Sequence, residues 1–131
     1  MSTLKTSNIQ DTSGNNNSTP AEISQGRAKA WVHFDGTASN VSSTANGYNV
    51  STITDNGDGD YTVNFTNNMA NANYAVAISG KANGGASAIP VPHYNMSGAM
   101  TTSSMRFKFS EATSYGTGRD SAIVSFVAFG D

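Results

Sequence analysis

The chain has 131 residues, which fits one domain, and its formal net charge is −2 at pH 7. Charged side chains make up only 12% of it, about half the share usual for soluble domains, and they form no basic stripe, so we expect no nucleic-acid partner. The absence of cysteine excludes a disulfide framework and suits folding in a reducing cytosol, and the longest apolar run, residues 122–129, is too short for membrane insertion.

Residues 1–25 form a polar, low-complexity leader whose large aliphatic side chains are Leu4, Ile9 and Ile23. Two interpretations stay open. So few apolar groups bury too little surface to offset the entropy of ordering, which favours a disordered tail. In the other interpretation the leader is an attachment peptide that orders against another protein through these three side chains.

A single helical turn is predicted at the end of the leader. It would start at Pro20, with Thr19 as N-cap and Glu22 three residues further on. Gly26 would end it.

The pattern changes to strands from Arg27 onward. Ala30, Val32 and Phe34 alternate with Trp31 and His33, which is the period of two that a strand produces. Since bulky residues occupy both faces, this strand fits the interior of a sandwich or a subunit interface.

A hairpin is predicted where Asn56-Gly57 and Asp58-Gly59 precede a strand with alternating apolar residues. The acidic loop Asp55–Asp60 also has the composition of a calcium loop, but no bidentate Glu closes it. Asp and Asn are equally the residues that tight turns use. We therefore interpret this loop as a turn.

Alternation returns in residues 74–78, 105–109 and 121–129, with polar loops between them. Roughly six or seven short strands without an amphipathic helix predict an all-β fold, an antiparallel β-sandwich of jelly-roll-like type over residues 26–131 with an extended N-terminal leader. The aromatic residues expected in its core, or in a seam between subunits, are Trp31, Phe34, Tyr61, Phe65, Tyr74, Phe107 and Phe126.

Catalysis finds little support in the sequence. His33 and His93 have no metal-ligand spacing and no catalytic motif around them, and no phosphate-binding loop is present. We expect no enzyme, no metal site and no cofactor.

Binding is better supported, by loops that combine aromatic and hydrogen-bonding residues. Tyr94 stands beside Asn95, and Tyr115 is followed by Arg119 in a Gly-rich segment. Rigid rings give contact area at low entropy cost, and neutral polar neighbours adapt to a ligand. These four residues are the candidate receptor-binding side chains; ordinary solvated loops are the alternative.

Three blocks, Ile9–Asn15 (IQDTSGN), Gly26–Thr37 (GRAKAWVHFDGT) and Ser51–Thr66 (STITDNGDGDYTVNFT), occur in this order. Together they resemble a recurrent module of the fibre and tail proteins of tailed bacteriophages, abundant among marine phages. The C-terminal segment Met105–Asp131 is similar to the closing strands of that module.

The resemblance implies a virion protein without catalytic residues, made and folded in the host cytoplasm and generally trimeric. It would be a short fibre or tail adhesin that displays its loops to a host-surface glycan or protein. Residues 1–25, with Leu4, Ile9 and Ile23, would attach it to another virion protein. A capsid head fibre or decoration protein, anchored by the same leader and without a receptor, is the alternative.

Overall fold

The computed structural model of the protein describes residues 1–81, 90–94 and 99–130, and it confirms the predicted all-β antiparallel sandwich. Two antiparallel sheets pack face to face, preceded by one short α-helix. The described elements are α1 Pro20–Gly26, β1 Ala28–Phe34, a 3-10 helix Val41–Thr44, β2 Asn46–Tyr48, β3 Val50–Asp55, β4 Asp60–Phe65, β5 Ala75–Gly80, β6 Pro90–His93, β7 Ser104–Glu111, β8 Ser114–Gly118 and β9 Val124–Phe129.

The first sheet has the strand order β2-β1-β9-β5, so the first and last long strands are neighbours. The second has the order β3-β4-β7-β6, and β8 also pairs with β7. In the second sheet β3 and β4 form the predicted hairpin, with Asp55 opposite Tyr61. The chain passes from the first sheet to the second at Asn49, whose φ is +56°.

The core lies between the two sheets and comes from the inward positions of the alternating strands. Tyr61, Val63 and Phe65 of β4 are buried, as the alternation predicts. The rings of Phe107 and Phe126 stack across the sandwich with centroids 6.2 Å apart and planes 7° apart. Each such side chain contributes about 1.5–3 kcal/mol by leaving water.

Trp31 is the exception among the aromatic residues expected in the core. It is 40% exposed, because Ala30, Val32 and Phe34 take the inward positions of β1 and turn Trp31 and His33 outward. The core interpretation of Trp31 is therefore wrong, and its place in a subunit seam stays a prediction.

The segment 111–120, expected as a loop, contains strand β8. Strand β7 extends beyond the start of β4, which pairs with it only up to Lys108. The edge of β7 beyond that point pairs with β8, with Ser110 opposite Gly118. Backbone groups of a buried strand need partners, and a hairpin provides them here.

The leader forms a small hairpin and then the helix. Ile9 and Ser18 form an isolated antiparallel bridge. Helix α1 follows, with the complete capping box of Thr19 and Glu22, so the predicted helical turn is confirmed. Hydrogen bonds from Thr19 keep the pKa of the Glu22 carboxyl below its usual value. No residue of α1 is buried.

Candidate binding surfaces

The outward face of the first sheet carries a row of residues that crosses all four strands and has aromatic side chains on β2 and β1. Trp31 is in register with Tyr48 on one side and with Val127 on the other, and Val127 is in register with Ala77. Trp31 is 40% and Tyr48 57% exposed. We call these four residues the aromatic row: Tyr48, Trp31, Val127 and Ala77.

A second row of polar side chains runs beside the aromatic row, two residues further along each strand. His33 is in register with Asn46 and with Ser125, and Ser125 with Ser79. Neither row contains Asp, Glu, Lys or Arg. We call the second set the polar row: Asn46, His33, Ser125 and Ser79.

A shallow depression of about 190 Å³ lies on this face between β5 and β9. The side chains that line it from the two rows are small, namely Ala77, Ser79, Ser125 and Val127. The alternation in residues 74–78 places Ala77 on one face of its strand. Sequence reasoning missed that strand pairing puts this residue on the same face of the sheet as Trp31, with β9 between them, since pairing of distant strands leaves no local signal.

The leader brings together the three aliphatic residues that the sequence singled out. Leu4, Ile9 and Ile23 line one groove of about 520 Å³ beside α1. They remain 85%, 52% and 41% exposed, so the protein's own core does not cover them. Lys5 and Arg27 also line this leader groove and give it basic side chains.

Tyr94 lies in a groove at the side of the sandwich, where the edges of the two sheets meet. This side groove has a volume of about 400 Å³ and is lined by residues 76–78 of β5 and by Pro92, His93 and Tyr94. The Tyr94 side chain is 52% exposed. Asn95, predicted beside it, lies outside the described residues.

Arg119 stands elsewhere, next to the β7–β8 hairpin. Its guanidinium pairs with the carboxylate of Glu111 at 3.1 Å, and its side chain is 39% exposed. Because β6 and β8 pair with opposite sides of β7, that strand separates Arg119 from Tyr94. Tyr115 belongs to β8, and its side chain lies outside the described residues.

Two of the three carboxylates in the acidic loop Asp55–Asp60 have structural partners. Asp55 accepts a hydrogen bond from the backbone N–H of Gly57 at 2.9 Å, as in an Asx turn. Asp60 is paired through both oxygens with Arg106, each contact at 2.9 Å. Within the described ranges, no group of three His, Asp or Glu side chains is arranged to hold a metal ion.

Among the described residues Tyr61 has the most strongly shifted pKa, and the groups that contact its hydroxyl have a structural role. Its hydroxyl lies 2.7 Å from Oδ1 of Asp120 and 2.9 Å from the carbonyl oxygen of Gly36. Burial, followed by the Asp120 carboxylate, raises the pKa of Tyr61 far above its usual value. A tyrosine held protonated in this way is a poor acid or nucleophile at neutral pH.

The described surfaces therefore offer stacking area and neutral hydrogen-bonding groups rather than reactive groups. They belong to an antiparallel β-sandwich. Comparison with models of known protein families, with curated proteins and with solved structures finds no match. No helix in the described part of the chain has the length and apolar character needed to cross a membrane.

Proposed function

We propose that this protein is a virion structural protein of a tailed bacteriophage, a short fibre or tail adhesin without enzymatic activity. The proposal rests on the three sequence blocks that resemble phage fibre modules. The structural observation that carries it is the leader groove. Leu4, Ile9 and Ile23 are gathered on one side of α1 and left exposed, and an exposed apolar cluster outside the core marks a protein contact.

In this proposal residues 1–25 dock onto another virion protein, in the tail or on the capsid. The sandwich then displays its side groove and the β7–β8 hairpin, with Tyr94, Asn95, Tyr115 and Arg119, to a host-surface glycan or protein. Burial of three aliphatic side chains would contribute about 5 kcal/mol or more before the entropy of docking is subtracted.

A homotrimer belongs to the same proposal. Within the described strands β5 is an edge strand that pairs only with β9, and its sequence AVAISG contains no proline and no charge. Edge strands usually carry such residues as protection against pairing with other chains. An unprotected edge is the kind that a neighbouring subunit covers, and the side groove, which residues 76–78 of this strand line, would then open at the border between subunits.

The attachment is tested with a triple variant, Leu4→Ser, Ile9→Ser and Ile23→Ser, expressed during infection. We expect the variant to be lost from virions purified on a density gradient, because its apolar contact is gone. Val91→Ser is the matched control, since Val91 is 44% exposed but lies on β6, away from the leader. Virions that retain the triple variant at the wild-type level would contradict the attachment role.

The leader groove also supports the alternative, a capsid head fibre or decoration protein. Such a protein needs a surface that docks onto the capsid but no receptor of its own. Immunogold labelling locates the protein on the capsid or on the tail. Purified protein that labels capsids and binds no host cells would establish the alternative. Release of oligosaccharide from host envelope extract would instead show an enzyme and contradict both.

A further inference from the structure

We propose that the outward face of the first sheet binds a neutral glycan, which stacks on Trp31 and Tyr48 and bonds to the polar row. This deepens the receptor-binding part of the proposed function and places the ligand on a surface other than the predicted loops. It does not depend on attachment to a virion, so either proposal can fail without the other.

The aromatic side chains provide the stacking surface. Trp31 and Tyr48 are direct cross-strand neighbours on one face, so their Cβ atoms lie about 5 Å apart. A sugar ring has an apolar face of C–H groups, which packs against the electron-rich face of an aromatic ring. Two adjacent rings, both more than a third exposed, form a platform on which one or two sugar rings fit.

The polar row provides the hydrogen bonds that a sugar requires. It runs parallel to the aromatic row at a distance of about 7 Å, which is two residues along a strand. Asn46 offers an amide, His33 an imidazole and Ser125 a hydroxyl, so the row contains both donors and acceptors. Such groups match sugar hydroxyls, which donate and accept as well.

The charge of the face selects the class of glycan. The two rows contain no Asp, Glu, Lys or Arg. Within the two rows an acidic polysaccharide would find no cation to pair with, whereas a neutral hexose or N-acetylhexosamine polymer needs none. Lys29, the nearest lysine of β1, instead directs its Nζ to the hydroxyl of Ser24, 2.9 Å away.

The depression at the β5 end of the two rows can accommodate one end of a bound sugar chain. Its small side chains, Ala77 and Ser79 on β5 and Ser125 on β9, keep the surface low at one end of the face. Tyr48 and Trp31 stand at the other end. A short oligosaccharide would lie across the strands, from the aromatic pair into the depression.

The size of the two rows argues against a second copy of the chain as their occupant. Four strands about 4.8 Å apart and two rows about 7 Å apart cover roughly 300 Å². A stable protein interface buries about 800 Å² on each side. The two rows therefore provide less than half of the surface that a partner subunit needs, while a sugar ring needs far less.

The experiment uses the single tryptophan of the protein as its reporter. Purified full-length protein is titrated with maltohexaose, cellohexaose and N-acetylchitohexaose, and with a heparin-derived hexasaccharide as the acidic probe. We expect a saturable change in Trp31 emission with at least one neutral probe and none with the acidic probe. No change with any neutral probe, or a preference for the acidic one, overturns the proposal.

A matched pair of variants locates the site while leaving the reporter in place. Tyr48→Ala removes half of the platform and should weaken binding about tenfold. Val91→Ala truncates a side chain of β6 that is 44% exposed and lies outside both rows and the side-groove lining, and it should leave binding unchanged. Loss of binding in a third variant, Tyr94→Ala, with binding kept in Tyr48→Ala, would overturn the proposal and place the sugar in the side groove.

Dilution of the protein distinguishes sugar binding from self-association through this face. Without sugar, the emission of Trp31 should be independent of protein concentration. A spectral shift that follows protein concentration, and is abolished in Tyr48→Ala, would show that a second copy covers this face and would overturn the proposal.

Discussion

At the scale of single residues, the ion pair between Asp60 and Arg106 stabilises the end of the hairpin. The side chain of Asp60 is 8% exposed and that of Arg106 is 34% exposed, so water screens the pair only in part. Asp60→Ala leaves the guanidinium without this partner. We expect a loss of about 2 kcal/mol, between the values for surface and buried pairs, measured by urea unfolding.

Asp58→Ala is the control for this variant, because Asp58 is an exposed acid in the same turn. It should change stability by less than about 0.5 kcal/mol. Equal effects of the two substitutions would show that the turn sequence, and not the ion pair, determines stability here.

Buried tyrosines make the protein sensitive to alkali. Burial is the largest cause that raises the pKa of Tyr74, from 10.0 to about 12, and Tyr61 is raised further. A folded pKa above the unfolded one means that the contribution to stability is complete below pH 10 and is lost as pH rises through about 12. We expect the free energy of unfolding to fall across this range.

The check combines urea unfolding with tyrosinate absorbance at increasing pH. In the folded protein, tyrosinate from Tyr74 should form only near pH 12, and tyrosinate from Tyr61 only as the fold is lost. In Tyr74→Phe the stability should fall less steeply with pH, although its value at neutral pH is lower because the bonds to the carbonyls of Thr101 and Ser104 are missing. An unchanged slope would contradict the assignment to Tyr74.

At the scale of elements, the β3–β4 hairpin depends on a glycine at a crowded position. Gly59 has φ +69°, and a Cβ there would lie 2.6 Å from both the Arg119 nitrogen and the Phe109 carbonyl oxygen. Gly57 also has positive φ, +120°, but a Cβ there meets nothing within 4 Å. Both substitutions strain the backbone, and only Gly59→Ala adds a clash with backbone that cannot move aside.

We therefore expect Gly59→Ala to cost about 2 kcal/mol more than Gly57→Ala in thermal or urea unfolding. The comparison removes the shared contribution of backbone strain. If the two variants are equally stable, the contact between the hairpin and the segment around Arg119 does not contribute as the structure indicates.

The local sequence predicted several secondary-structure elements correctly, but it missed others. The Asn-Gly and Asp-Gly pairs predicted the β3–β4 hairpin, and Thr19 with Glu22 predicted α1. Strand β8 was missed, because it forms only where β7 extends past β4. The break between β2 and β3 was missed too. There Asn49 adopts positive φ and bonds to the carbonyl of Lys29 and the amide of Asn67, which are distant in sequence.

At the scale of the whole molecule, the core and the leader are separate. The buried core cluster begins at Ala30, and α1 contributes no buried residue. Deletion of residues 1–25 should therefore change the melting temperature by only a few degrees, which circular dichroism measures.

The same truncated protein is expected to keep its oligomeric state in light scattering and to be missing from virions. Aggregation or dissociation after the deletion would show that the leader is part of the fold. The homotrimer itself is tested by the mass of the full-length protein in solution.

What the sequence determined by itself is local: which residues alternate, where turns and the helix cap lie, and that neutral polar groups dominate the surface. These features depend on neighbours within a few positions and on the geometry of single strands. Only the tertiary structure decided which face of β1 turns outward, because that depends on the pairing of β1 with β9, about a hundred residues away in the chain, and with β2. It therefore placed Trp31 beside Tyr48 on the surface, and Leu4, Ile9 and Ile23 in one groove, since strand pairing and chain folding join residues that no local pattern connects.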